Sequence, residues 1–344
     1  MVFSGGGAFA AWEIGCLAAI VAREHGMPST VIGTSAGAVN AAGVCCGYSP
    51  EELEAFWTGL RSRDVYRRRY VEWAAAGLNL VYHAARTRDL PRALRRAARQ
   101  MQSIFDPAPL RDTFRRLFED RVETFFDSEM SFAVPMTDLV LGRSLTIYKE
   151  GKNYSGPSPR SSSTRLVVRL ERGVDEIVDT LMGTTAIPLL FSPHEMKVSS
   201  GEILHCFDGG ILRNCPIAPA VELGEKKIYV LVPCPAVPRW PSGIVDIFSS
   251  LLETWTAASF ESQLELVAQI NDAKRAARQE PIDVQTIRPA IPLETYGVGP
   301  FSFGEHVGEI VESGRRDAEE SFARGQAERN RNPRAIIAMP ARSA

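Results

Sequence analysis

Val31-Ile32-Gly33-Thr34-Ser35-Ala36-Gly37 is the stretch that decides the reading of this chain. Val31-Ile32 is apolar and β-branched, which favours a short buried strand. Residues 38–46 are rich in Ala, Val and Cys and read as a buried helix of small residues. Between the two lies the pattern G-x-S-x-G. A strand that turns sharply into a helix at a serine presents that hydroxyl at the strand end, and the turn is too tight for flanking side chains. Ser35 is therefore a candidate nucleophile, with Gly33 and Gly37 as the glycines of its elbow. The helix N-terminus behind it favours developing negative charge.

Upstream, residues 2–4 form a very short strand, followed by Gly5-Gly6-Gly7. A helix comes next, with Ile14, Leu17, Ala18 and Val21 at helical spacing. Strand, helix, strand and helix within the first 46 residues imply an α/β fold with parallel strands. The glycine run leaves backbone N–H groups unobstructed. It suits an oxyanion hole. Gly5, Gly7 and Ala10 also match the G-x-G-x-x-[GA] pattern of a dinucleotide loop. That second reading asks for an acidic residue at the end of the next strand, where this chain has Gly33-Thr34-Ser35 instead.

Downstream, 50–125 reads as helical, basic and aromatic. Leu90, Leu94, Ala97, Met101 and Ile104 share a helical face, with Arg92, Arg95, Arg96 and Arg99 off it. Leu110, Phe114, Leu117 and Phe118 mark a second amphipathic helix. Strands are expected over 132–140, 145–149, 203–207, 228–232 and 283–288, with a loop over 151–163. Helices are expected over 174–182, over 245–278 and from Glu305 onward. Asp208-Gly209-Gly210 reads as a turn. Asp-Gly between apolar runs is most often a hairpin. Beside a serine elbow, the same carboxylate is a candidate base, because glycines let it approach closely.

The 344 residues are 45% apolar and 23% charged, a globular composition that excludes a disordered or collagen-like chain. Net charge is −2, so the whole chain has no pull toward nucleic acid. The charge is uneven, however. Residues 61–121 carry 15 Arg against seven Asp and Glu. No recognition motif accompanies that charge, which argues against nucleic acid. It fits either a solvated helical insert or an interfacial lid, with Tyr66, Tyr70, Trp73 and Tyr82 suited to a lipid interface. The six cysteines show no C-x-x-C spacing and read as buried free thiols; no metal site is expected. No apolar run reaches the ~18 residues of a membrane span, and Met1-Val2-Phe3 opens without a basic leader. A cytoplasmic location, with peripheral contact to anionic membrane through 61–121, is the expectation.

Taken together, the motifs resemble those of the patatin-like phospholipase family. The glycine loop matches at Gly5-Gly6-Gly7 and the serine elbow at Gly33–Gly37. The Asp-Gly-Gly motif matches at Asp208-Gly209-Gly210, with Asn214 and Pro216 after it. Thr137-Asp138-Leu139 and Thr185-Ala186-Ile187-Pro188 look like the family's central strand and pre-motif segment. The resemblance implies one three-layer α/β/α domain over 1–344. Its central sheet would be mainly parallel, with a basic helical insert at about 57–125 and a helical C-terminal region at about 245–344. It implies a Ser–Asp dyad, with Ser35 as nucleophile and Asp208 as general base. The oxyanion hole would be built from Gly5, Gly6, Gly7 and Ala8. It also implies a hydrolase of (phospho)lipid acyl esters, of phospholipase A or lysophospholipase type, needing no metal or other cofactor. Two other readings stay open: an acyltransferase using the same acyl-enzyme, and a non-enzymatic lipid-binding protein. A conventional triad through His306 is a rival mechanism, and His205 reads as structural. Where the family usually carries Arg-Gly after the glycine run, this chain has Phe9-Ala10.

Overall fold

Alternate residues of the short central strands face opposite layers, as the period of two in a strand requires. Val2, Ile32 and Ala133 pack on one side with Ile217, Val230, Phe260 and Val267. Phe3, Val31, Phe132 and Val134 pack on the other, with Ala11, Leu17, Val39 and Val311. A sheet lies between two helical layers. The structure is a computed structural model. It describes residues 1–331 except 88, 90, 93–102, 199–200, 235–243, 297–298 and 305.

In chain order the strands are β1 (Val2–Phe3), β2 (Thr30–Gly33), β3 (Arg67–Arg68), β4 (Phe105–Asp106), β5 (Ser131–Asp138), β6 (Arg143–Lys149), β7 (Arg165–Arg169), β8 (His194–Lys197), β9 (Ile203–Asp208), β10 (Lys227–Leu231) and β11 (Asp283–Ile287). The helices are α1 (Ala10–Glu24), α2 (Ala36–Cys45), α3 (Pro50–Gly59), α4 (Ser62–Val65), α5 (Tyr70–Thr87), α6 (Ala108–Phe118), α7 (Val122–Asp127), α8 (Val174–Thr184), α9 (Gly210–Arg213), α10 (Ile217–Glu222), α11 (Ile244–Ala276) and α12 (Val307–Arg331).

The main sheet runs β11-β10-β1-β2-β5-β6-β7, and β9 joins it through β5. It is mostly parallel: β11, β10, β1, β2 and β5 run the same way. The antiparallel pairs are β5–β6, β5–β9 and β8–β9. Registers explain how the sheet builds a site. β2 pairs with the first half of β5, Thr30 opposite Ser131. β9 pairs with the second half of β5, Met136 opposite Asp208. The carboxyl end of β2 and the end of β9 thus come to the same place along β5.

The sequence reading holds for most of the elements that flank this place. Four strands escaped it: β3, β4, β7 and β8. Asp208-Gly209-Gly210 makes no hairpin, because Asp208 closes β9 and α9 starts at Gly210. The helix expected through Leu94, Ala97 and Met101 lies outside the described residues. None of the six cysteines forms a disulfide, and five of them are buried. Among the described residues, no helix is long and apolar enough to cross a membrane.

Candidate active site

Ser35 sits between β2 and α2 with φ 53° and ψ −129°. A non-glycine residue rarely adopts such a backbone, and strain of this kind concentrates at functional sites, which keeps Ser35 a candidate. The flanking glycines are dictated by crowding. A Cβ on Gly33 would lie 2.4 Å from the Gly37 carbonyl oxygen, and one on Gly37 would lie 2.6 Å from the Ser4 oxygen. The Ser35 N–H donates to Thr184 Oγ1 at 3.1 Å, and that hydroxyl donates to the Pro135 carbonyl at 2.8 Å. Thr184 on α8 therefore ties the elbow to β5.

Asp208 ends β9 beside this elbow. Its N–H donates to the Ala186 carbonyl at 2.9 Å, and one carboxylate oxygen accepts the Gly210 N–H at 2.7 Å. Gly209 leaves no room for a side chain, since a Cβ would lie 2.2 Å from the Pro135 oxygen. Burial pushes the Asp208 pKa up to about 6, while the Ser35 hydroxyl and the Gly210 N–H pull it partly back. A buried carboxylate without a cationic partner is a competent base near neutral pH.

The glycine loop lies across the site. The Asn214 side-chain amide donates to the Gly5 carbonyl at 3.2 Å. The Gly5 N–H donates to the Asn214 carbonyl at 3.4 Å, and the Ala8 N–H donates to the Pro300 carbonyl at 2.8 Å. Gly7 has φ 59°, and a Cβ there would lie 2.1 Å from the same Pro300 oxygen. Of the four residues expected to supply donors, Gly5 is committed to Asn214 and Ala8 to Pro300. The N–H groups of Gly6 and Gly7 have no acceptor among the described residues. Phe9 and Ala10, at the positions of the usual Arg-Gly, are both buried in the core.

An apolar pocket opens beside Ser35, with about 570 Å³ of space including its mouth. Gly7, Ser35 and Val39 form one side, while Trp57, Leu60, Val65, Leu110 and Phe114 form another. Most of this wall belongs to the segment between α2 and β5. Phe301 and Phe303 close it from the C-terminal region. The two histidines stand apart from this constellation. His306 is half exposed and its Nδ1 lies 2.9 Å from Glu309 Oε1, while His205 faces Glu195 at 3.7 Å.

The sequence model of the family described as patatin-like phospholipase matches residues 1–221. The chain belongs to the patatin-like phospholipase family. That membership supports a lipid acyl hydrolase, and the mostly parallel sheet flanked by helices is consistent with the patatin-like fold. No curated protein matches the chain. Among solved structures it is similar to VipD from Legionella pneumophila, at 14% identity and a TM-score of 0.41; the match covers 93% of this chain and 66% of that one.

Several residues of this patatin-like site were not singled out from sequence. Thr184 precedes the recognised Thr185-Ala186-Ile187-Pro188 run by one position and carries no motif of its own. Pro300, Phe301 and Phe303 lie beyond residue 221. A buried trio also went unread. Trp57 Nε1 donates to Asn40 Oδ1 at 2.7 Å, and Asn40 Nδ2 donates to Glu13 Oε2 at 2.9 Å. Burial holds the Glu13 carboxyl well above the usual range. The trio joins the pocket wall, the elbow helix and the helix that follows the glycine loop.

Proposed function

We propose that this chain is a serine acyl hydrolase of (phospho)lipid esters, of phospholipase A or lysophospholipase type, acting through an acyl-Ser35 intermediate. The observation that carries the reading is that Ser35, which bears on the buried Asp208 carboxylate, lines an apolar pocket together with Gly7, while the Gly6 and Gly7 N–H groups have no acceptor among the described residues. Asp208 takes the Ser35 Oγ proton as the oxygen attacks the ester carbonyl carbon. The carbonyl oxygen becomes an oxyanion facing the Gly6 and Gly7 N–H groups. The tetrahedral intermediate collapses, the C–O bond to the alcohol breaks, and the departing alkoxide takes the proton from Asp208. Water then attacks the acyl-enzyme, gives its proton to Asp208, and releases the fatty acid. Ser35 recovers that proton. The apolar pocket holds the acyl chain and excludes water from it.

Fluorophosphonate labelling of the parent chain, Ser35→Ala and Asp208→Asn, with the adduct mapped by mass spectrometry, tests the reading. The expected result is a label on Ser35 that vanishes in Ser35→Ala and forms about 10²-fold or more slowly in Asp208→Asn. A folded parent chain that takes no label sinks the proposal. His306→Ala is expected to label like the parent, and a loss of about 10³ there would move the base from Asp208 to the histidine.

A further inference from the structure

From the pocket lining the chain runs through Tyr66 and a short ribbon to an apolar helix with arginines around it. Tyr66 lines the pocket and is followed at once by β3. β3 pairs with β4, Arg68 opposite Phe105, and the Tyr66 and Phe105 rings stack with centroids 4.4 Å apart. The ribbon is held to the rim of the pocket. Ile104 N–H donates to the Leu189 carbonyl at 2.9 Å and Phe105 N–H to the Leu190 carbonyl at 2.8 Å. Ile187 and Phe191, on either side, line the pocket. α5 rises directly from this ribbon.

α5 presents an apolar stripe to solvent. Val71 is 83% exposed, Leu78 72%, Val81 68% and Tyr82 55%. Ala74 and Ala75 are exposed between them. These positions fall at i, i+3, i+4, i+7, i+10 and i+11, which is one face of a helix. An 18-residue helix with so much apolar surface in water carries a cost that a packed soluble element would not accept. Arginines flank the stripe. Arg67 and Arg68 are exposed at its foot, and Arg68 donates to the Tyr70 hydroxyl at 3.0 Å. Arg86 is exposed near its far end and donates to the Tyr82 hydroxyl at 3.0 Å. The segment 61–121 as a whole holds 15 Arg against seven acidic residues in a chain of net charge −2. Leu189, at the rim itself, is 67% exposed.

We propose that α5 and the arginines at its two ends form a docking surface for an anionic lipid bilayer, with the pocket mouth at its foot. The stripe lies in the interface with its apolar side chains among the acyl tails. The arginines reach headgroup phosphates while their stems cover apolar surface. A lipid leaving the bilayer then meets Leu189, Tyr66 and the pocket without crossing water. Charge selects the partner, since each arginine near an anionic surface shifts partitioning by about fivefold. For its purpose the surface rests on the hydrolase reading, but binding is measured separately from hydrolysis.

The test is flotation of the Ser35→Ala chain, which leaves vesicles intact, with phosphatidylglycerol–phosphatidylcholine vesicles and with phosphatidylcholine vesicles alone. The expected result is binding to the mixed vesicles that falls about tenfold or more at ~1 M salt. Val71→Glu with Leu78→Glu lowers binding about tenfold or more, and Arg67→Glu with Arg68→Glu removes the preference for anionic vesicles. Both pairs lie on exposed surface, so their melting temperatures stay at the parent value. Lys226→Glu, at the amino end of the sheet, changes nothing. No flotation with either vesicle, equal flotation with both, or glutamate variants that float like the parent would each overturn the docking surface. Failure of the hydrolase reading would appear in the labelling experiment and leave this result untouched.

Discussion

Asp208, the proposed base, is also a liability. Its pKa of about 6 follows from burial, against only two groups that stabilise the charge. As a base it works ionised, so kcat/KM should rise with pH through about 6 and level off above it. A pH–rate profile of the free enzyme reads this directly, and a flat profile from pH 5 to 8 would remove Asp208 from the role. The same shift predicts a stability effect of defined sign. The ordinary carboxylate value is 3.8. Between there and about 6 the folded chain keeps a proton that the unfolded chain has lost. Stability therefore falls as pH rises through that window, and the full penalty is present above it. Asp208→Asn removes the charge. At pH 7 to 8 it should be inactive yet melt higher, by up to about 3 kcal/mol, and the difference should close near pH 3. Thr184 acts on the neighbouring backbone. Thr184→Val leaves the Ser35 N–H without its acceptor and the elbow without its tie to Pro135. A fall in kcat of about tenfold with little change in KM is expected in steady-state assays.

Among the elements, the segment 299–303 shows most clearly what the sequence hid. The serine elbow and the Asp-Gly-Gly motif were legible because their constraints are local. Gly33, Gly37 and Gly209 are required by backbone approaches within one or two turns of chain and one neighbouring strand. The pocket wall was not legible, since Phe301 and Phe303 meet Ser35 across more than 260 residues and no periodicity reports such a contact. β7 and β8 were missed for a related reason. Both alternate weakly and carry charged residues, and their identity comes from pairing with β6 and β9. The segment 299–303 is seated firmly. Pro300 accepts the Ala8 N–H, Ser302 N–H donates back to the Gly299 carbonyl at 3.0 Å, and the Tyr66 hydroxyl donates to the Phe301 carbonyl at 3.3 Å. It should therefore set which acyl chains fit. Phe303→Ala should raise kcat/KM for long-chain p-nitrophenyl esters relative to short ones by about tenfold, and Phe303→Trp should shift the ratio the other way. Unchanged ratios in both variants would place the acyl chain elsewhere.

For the whole molecule, the family match ends at residue 221 but the fold does not. β1 has only two residues and lies between β2 and β10, with Val2 opposite both Ile32 and Val230. Its Ser4 N–H donates to the Leu231 carbonyl at 3.2 Å. Without β10 this strand, which carries the glycine loop, becomes an exposed edge two residues long. α12 does the same for α1. Gly15 and Gly314 let the two helices touch backbone to backbone, because a Cβ on Gly15 would lie 1.8 Å from the Val311 oxygen and one on Gly314 would lie 2.0 Å from the Trp12 oxygen. Asp317 fixes the crossing by accepting the Trp12 indole N–H at 2.8 Å and the Ala290 N–H at 3.1 Å. That second bond anchors the chain that returns over the glycine loop as 299–303. A chain ended after residue 221 loses β10, β11, α11, α12 and this return at once. It should show no cooperative thermal transition by circular dichroism and take no fluorophosphonate label. Gly314→Val in the full chain makes the milder version of the same injury. It should unfold cooperatively but about 1–3 kcal/mol less stably, since only the helix crossing is forced apart. Should the 221-residue chain melt cooperatively and label at Ser35, the C-terminal region would be an accessory to the site. If it does neither while Gly314→Val still labels, the region past the family match belongs to the catalytic unit itself.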